Sequence, residues 1–127
     1  MKQQTITLSA EKVVMSYMEA LGSGMENWHE HLSDNVAFIG PIDQTKGKDA
    51  YVQLTSQFFP MVKEYKPMKL FGNETWVTQE GIYSVNTPNG GIVDLECAEV
   101  FEISEGKISK IRIYYDPTEF KNAFGLN

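Results

Sequence analysis

The chain has 127 residues, a net charge of −6 and a sequence pI near 4.9, values that suit one domain, residues 1–127, with its own core. An acidic balance with scattered basic residues speaks against nucleic acid or an anionic membrane surface as partner. The single cysteine, Cys97, excludes an internal disulfide and fits a reducing compartment. Met1 to Thr5 has no long apolar run behind it, so neither signal peptide nor membrane span is read, and a cytoplasmic location is expected.

Helices come first in the chain. Ser9 is an N-cap candidate, with Glu11 in the first turn where the helix dipole favours an acid. Val14, Tyr17, Met18 and Leu21 fall at i, i+3, i+4 and i+7, the spacing of an amphipathic helix, and Gly22 and Gly24 stop it. A shorter helix from about Met25 to His31 presents Trp28 and Leu32 inward. Asn35 to Ile39 reads as a short strand closed by Gly40-Pro41. A third helix begins near Gly47-Lys48-Asp49, carries Tyr51, Leu54, Thr55 and Phe58 on one face, and ends around Pro60.

Strands follow. Met68–Phe71, Thr75–Thr78 and Gly81–Asn86 are strand-like, and Thr87-Pro88-Asn89-Gly90-Gly91 is a hairpin turn of the Asn-Gly kind. Long strands are expected from Ile92 to Ile103 and from Lys107 to Tyr115. Helices followed by a long antiparallel meander predict an α+β domain with helices on one side of a curved sheet.

The strand from Ile92 carries the most informative residue. One face reads Val93, Leu95, Cys97, Glu99, Phe101, Ile103, so Glu99 is a lone carboxyl on an apolar face. Such a group is costly to bury ionised and must be paired, hydrogen-bonded or protonated, which makes it a candidate site. Across Ser104-Glu105-Gly106-Lys107 two loops compete. A two-residue loop pairs Glu99 with Arg112 and places Ile111 and Ile113 on the polar face. A three-residue loop with Gly106 left-handed pairs Glu99 with Ile111 and puts Lys110 and Arg112 outside, near Glu102 and Glu96. Only the second makes both faces consistent, and it is the expected register.

The order of elements, the Glu105-Gly106-Lys107-Ile108 turn and the ending Ile111-Arg112-Ile113-Tyr114-Tyr115-Asp116-Pro117 resemble the nuclear transport factor 2-like superfamily, especially its SnoaL-like polyketide-cyclase branch. The resemblance implies a cone-shaped α+β barrel: three N-terminal helices packed on a strongly curved antiparallel sheet, with a pocket at the wide end. It also implies a homodimer through the outer face of the sheet, where Ala98, Val100 and Tyr114 mix with complementary charges. Within the superfamily, ketosteroid isomerase joins a general base to a Tyr and a protonated Asp, a site that serves as a standard example of a carboxylic acid kept neutral. By that likeness Tyr17, seven residues before Gly24, takes the place of the oxygen-donating Tyr, and Glu99 that of the Asp. Tyr115 falls where a pocket aromatic is common. The isomerase base precedes a proline after the first strand; here that position is Gly40, before Pro41, so the base is absent.

The expected site therefore has Tyr17 and Glu99 as its chemical pair, with Trp28, Phe38, Phe58, Leu95, Cys97, Ile111, Ile113 and Tyr115 around a small apolar or aromatic molecule. Plainer roles stand beside these. Tyr17 also reads as a core tyrosine with a satisfied hydroxyl, Cys97 as a small buried hydrophobe, and Trp28, Phe38 and Phe58 as core. Asp43 is a substitute base only if it swings toward the pocket mouth. His29 and His31 lie on different helix faces without an acidic ligand pattern, so neither metal nor cofactor is expected. Two functions follow. One is an isomerase, cyclase or dehydratase acting on a small carbonyl compound, with Glu99 as acid–base and Tyr17 as oxygen donor. The other is a ligand-binding or dimeric interaction domain without catalysis.

Overall fold

The computed structural model describes residues 9–126; the reading of Met1 to Thr5 lies outside them. No helix among the described residues is long and apolar enough to cross a membrane. Helix α1 (Ala10–Gly22) starts where Ser9 Oγ accepts the Lys12 amide at 3.2 Å, and it buries Val13, Val14, Tyr17 and Leu21. Its end is a Schellman motif. Gly24, at φ +71°, donates to Leu21 O at 3.2 Å while Met25 donates to Ala20 O at 3.0 Å. The short helix expected next is a 3-10 segment, Glu26–His31. Helix α2 (Lys48–Phe58) turns Tyr51 and Thr55 inward and passes into a 3-10 turn, Phe59–Met61, around Pro60.

Six strands form one curved, mostly antiparallel sheet: β1 (Leu32–Ile39), β2 (Gln44–Lys46), β3 (Val62–Gly72), β4 (Trp76–Asn86), β5 (Ile92–Ser104) and β6 (Lys107–Tyr114). Their order is β2-β1-β6-β5-β4-β3, and the β1–β6 pair is parallel, a departure from the all-antiparallel expectation. Strand β4 is continuous where two strands were expected, because Gly81 is paired on both sides, to Pro67 and to Cys97. β3 is longer than Met68–Phe71. As the edge strand it tolerates Pro67 and exposed lysines that hide its period. A short C-terminal helix, α3 (Thr118–Ala123), was not expected and packs Phe120 against the sheet beside Tyr83, Leu95 and Cys97.

The β5–β6 hairpin corrects the expected loop. Ser104 pairs with Lys107, so the loop is the two residues Glu105 and Gly106, with φ +53° and +77°, both positive as a type I′ turn requires. The extra residue sits in β6 instead. Ile103 opposes Ile108 but Glu102 opposes Lys110, leaving Ser109 as a bulge whose hydroxyl donates to Glu102 O at 3.1 Å. The face assignment survives, since Ile111 and Ile113 share Glu99's side of the sheet. The partner of Glu99 is Ile113, not Ile111. Outside, Lys110 lies 4.0 Å from Glu102, an exposed pair of small energetic weight.

Two apolar clusters fill the space between helices and sheet. One holds Val14, Tyr17, Val36, Tyr51, Phe101 and Ile111; the other holds Tyr83, Val85, Leu95, Cys97 and Phe120. Along β5 these clusters claim Phe101 and Cys97, and Glu99 falls between them.

Candidate functional site

The strand period that puts Phe101 and Cys97 into the core carries Glu99 in with them, and its residue is only 5% exposed. It opens on a cavity of about 110 Å³, many times the roughly 10–15 Å³ that one water requires. Leu21, Leu54, Phe58, Leu95 and Ile113 make apolar walls, and the polar groups converge from three directions. Tyr17 comes from α1, Tyr51 from α2, and Tyr83 from β4, beside the strand of Glu99.

The tyrosines divide into two hydrogen bonds. Tyr83 donates its hydroxyl to Glu99 Oε1 at 2.8 Å. Tyr17 and Tyr51 join hydroxyl to hydroxyl at 2.7 Å across the two helices, either one able to donate. Glu99 has no other protein donor among the described residues, so its second oxygen is left for whatever enters the cavity. Burial pushes the Glu99 carboxyl up from 4.5 to about 7, against the opposing pull of the Tyr83 hydrogen bond. Burial also raises Tyr51 to about 12, with the charge of Glu99 adding to the effect, and holds Tyr17 and Tyr83 well above an ordinary phenol. All three phenols are therefore neutral donors at physiological pH.

The mouth is formed by the turn Gly40–Asp43, closed by Gly40 N–H donating to Asp43 O at 2.9 Å. A Cβ at Gly40 would stand 3.1 Å from Ile113 Cγ2 and 3.3 Å from Phe38 Cζ, so the turn presses directly on the cavity wall. Asp43 is exposed at this rim. Tyr115, half-buried nearby, is raised to about 12 by burial first and by the Asp43 charge second.

Of the residues expected from sequence, Tyr17, Phe38, Phe58, Leu95, Glu99, Ile113 and Tyr115 line this cavity. Trp28, Cys97 and Ile111 are set back from it. Trp28 packs edge-on against Tyr17 at 6.1 Å between ring centroids, Ile111 is wholly buried in the first cluster, and Cys97 is buried in the second. Burial raises the Cys97 thiol, the opposite of what a reactive cysteine needs. The hydrogen-bond partners Tyr83 and Tyr51 were missed as site residues. For Tyr83 the signal was present, because Val77, Gln79, Gly81, Tyr83 and Val85 alternate onto the inner face of β4.

Several solved structures share this architecture. A nuclear transport factor 2-like protein of unknown function from Burkholderia pseudomallei is 16% identical with a TM-score of 0.80, covering 92% of this chain and 98% of that one. A Jannaschia protein assigned by name to the SnoaL-like polyketide cyclases is 12% identical with a TM-score of 0.78, covering 99% of each chain. A further nuclear transport factor 2-like protein of unknown function, from Cytophaga hutchinsonii, is 23% identical with a TM-score of 0.69, covering 94% of this chain and 98% of that one. At these identities the likeness establishes the fold alone. A model of the SnoaL-like domain matches residues 14–111, from the first helix to the last strand. The chain belongs to the SnoaL-like domain family.

Proposed function

We propose that the chain binds a small, mostly apolar carbonyl or phenolic compound through oxygen, and that Glu99 moves a proton on it. The observation that carries this reading is a buried carboxyl in an apolar cavity, raised toward 7 by burial, with one protein donor among the described residues and its second oxygen left without one there. A carboxyl titrating near 7 is half-ionised at physiological pH, where a group that both takes and returns protons works best. As carboxylate it takes a proton from the carbon beside a carbonyl; as the resulting acid it returns that proton to another carbon, to the alkoxide left when the enolate adds to a second carbonyl, or to a leaving hydroxyl. The Tyr17–Tyr51 hydrogen bond can run either way; with Tyr51 as its donor, Tyr17 gives its own hydroxyl to the enolate oxygen, and the relay polarises both phenols. Isomerisation, aldol cyclisation and dehydration all use these steps.

A second reading, binding without turnover, draws support from Gly40. The position that carries a base in ketosteroid isomerase has no side chain here, and the wall formed by Ile113 and Phe38 crowds the space one would fill. Rapid conversion of a Δ5-3-ketosteroid is therefore not expected. In either case two copies pair through the outer face of the sheet, where half-buried Ala98 and Val100 adjoin Tyr114, itself 55% exposed.

A thermal-shift screen of aromatic ketones and phenols, followed by titration of the hits, tests the reading. Glu99→Gln keeps the shape and a donor, so it spares binding of neutral ligands and abolishes turnover. Tyr17→Phe weakens binding by about 1–3 kcal/mol. Equal affinity of wild type and Tyr17→Phe for every hit would make the Tyr17–Tyr51 pair a core feature and remove it from the site.

A further inference from the structure

Beside the Tyr83–Glu99 hydrogen bond lies a phenol, Tyr65, with no hydrogen-bond partner among the described residues. Tyr65 opposes Tyr83 across β3 and β4, and their rings lie 4.4 Å apart, tilted by 38°. Its ring runs along the sheet over Gly81, close enough that a Cβ there would collide with the hydroxyl and the ring carbons. Gly81 opposes Cys97, one step along the same face from the Gln79–Glu99 pair. The missing side chain at Gly81 thus admits the phenol to the ground next to Glu99, whose charge it feels. The Tyr65 hydroxyl is buried there without a hydrogen-bond partner among the described residues. A buried phenol left unpaired is unfavourable, and native structures leave few such groups without a purpose.

Gln79 adds to this polar ground. It is 6% exposed, and among the described residues its amide nitrogen donates only over long distances, 3.3 Å to Lys69 O and 3.4 Å to Glu80 O. Tyr65 and Gln79 both border a groove between α1 and β3, and the wall between that groove and the Glu99 cavity includes Met18 and Phe59, which line both. Met18 is an unbranched thioether side chain that changes rotamer readily.

We infer that Tyr65 and Gln79 form a second oxygen subsite, reached past Met18, for a ligand that carries one oxygen at Glu99 and another a few ångströms away. The inference rests on the reading of Glu99 as the first oxygen site and narrows the ligand to flat compounds with two oxygen functions, such as dihydroxyarenes and hydroxyaryl ketones. Tyr65 binds and orients; the proton transfer stays with Glu99.

The test is an NMR titration of wild type and Tyr65→Phe with a matched pair of probes, phenol and resorcinol, together with the melting temperature of each free protein. Wild type is expected to bind resorcinol several-fold more tightly than phenol. Tyr65→Phe is expected to bind phenol as wild type does and to lose the resorcinol preference. Removing an unpaired hydroxyl should leave the free protein as stable as before or more so, whereas a hydroxyl with a structural partner would be missed. A resorcinol preference that persists in Tyr65→Phe, a wild type without that preference, or a variant that melts well below wild type overturns the subsite alone. If neither probe binds wild type, the Glu99 reading falls and the subsite falls with it.

Discussion

Tyr83 and Glu99 are bonded at 2.8 Å without being cross-strand neighbours. Tyr83 opposes Leu95 and Glu99 opposes Gln79, so the phenol reaches along the sheet past the Gly81–Cys97 pair to find the carboxyl. Cys97 is small enough to let it pass, while the Tyr65 ring lies over Gly81. The relationship ties the protonation of Glu99 to a residue four positions along β4 from its own partner.

Tyr83→Phe should therefore act more strongly at high pH than at low. Hydrogen bonds to an ionised group contribute about 1.5–3 kcal/mol, against about 1 kcal/mol for a neutral one. Urea denaturation at pH 5.5 and at pH 8 should give the larger loss at pH 8. The same variant should move the Glu99 midpoint upward, because the Tyr83 bond is what opposes burial. An equal loss at both pH values would mean that Glu99 does not titrate in between.

Glu99 also sets a slope of stability with pH. Its carboxyl is raised from 4.5 to about 7 on folding, so between those values the native state holds more protons than the unfolded state. Stability from this group is complete below pH 4.5 and is lost as pH rises to 7, by about 3 kcal/mol at roughly 1.4 kcal/mol per pH unit. Glu99→Gln cannot titrate. Compared with wild type it should gain relative stability from pH 4.5 to 7.5 and hold that gain above, read as the difference in unfolding free energy. A constant difference across the range would place Glu99 in contact with water.

Much of this was legible because strand period is a rigid constraint. Glu99 cannot leave the face of Leu95, Cys97 and Phe101 without moving all of them, so its burial followed from alternation. The hairpin shows where that logic stops. Parity distinguishes faces and does not distinguish an extra residue at Ser104 from one at Ser109, and the structure chose Ser109 with Glu105 in the left-handed region. Strand β2 and helix α3 are three and six residues long, too short for a period to emerge. Which tyrosine reaches Glu99 depends on the small residues between them and on how three elements converge, and no single segment encodes that.

The outer face of the sheet is the proposed seam between two copies. Tyr114 opposes Ala98 there, near the Glu102–Lys110 pair. Light scattering at micromolar concentration should give a dimer, and Tyr114→Glu, which places a charge in the centre of the patch, should shift it toward monomer without unfolding it. A wild-type monomer under those conditions would remove the pairing.

Glu99 is proposed as a buried acid–base group that meets the ligand. The most direct measurement follows the Glu99 side-chain carboxyl carbon by NMR from pH 4 to pH 9, with and without saturating phenol. A midpoint of about 7 is expected in the free protein, and a displaced midpoint once phenol is bound. A midpoint near 4.5, unmoved by phenol, would contradict it.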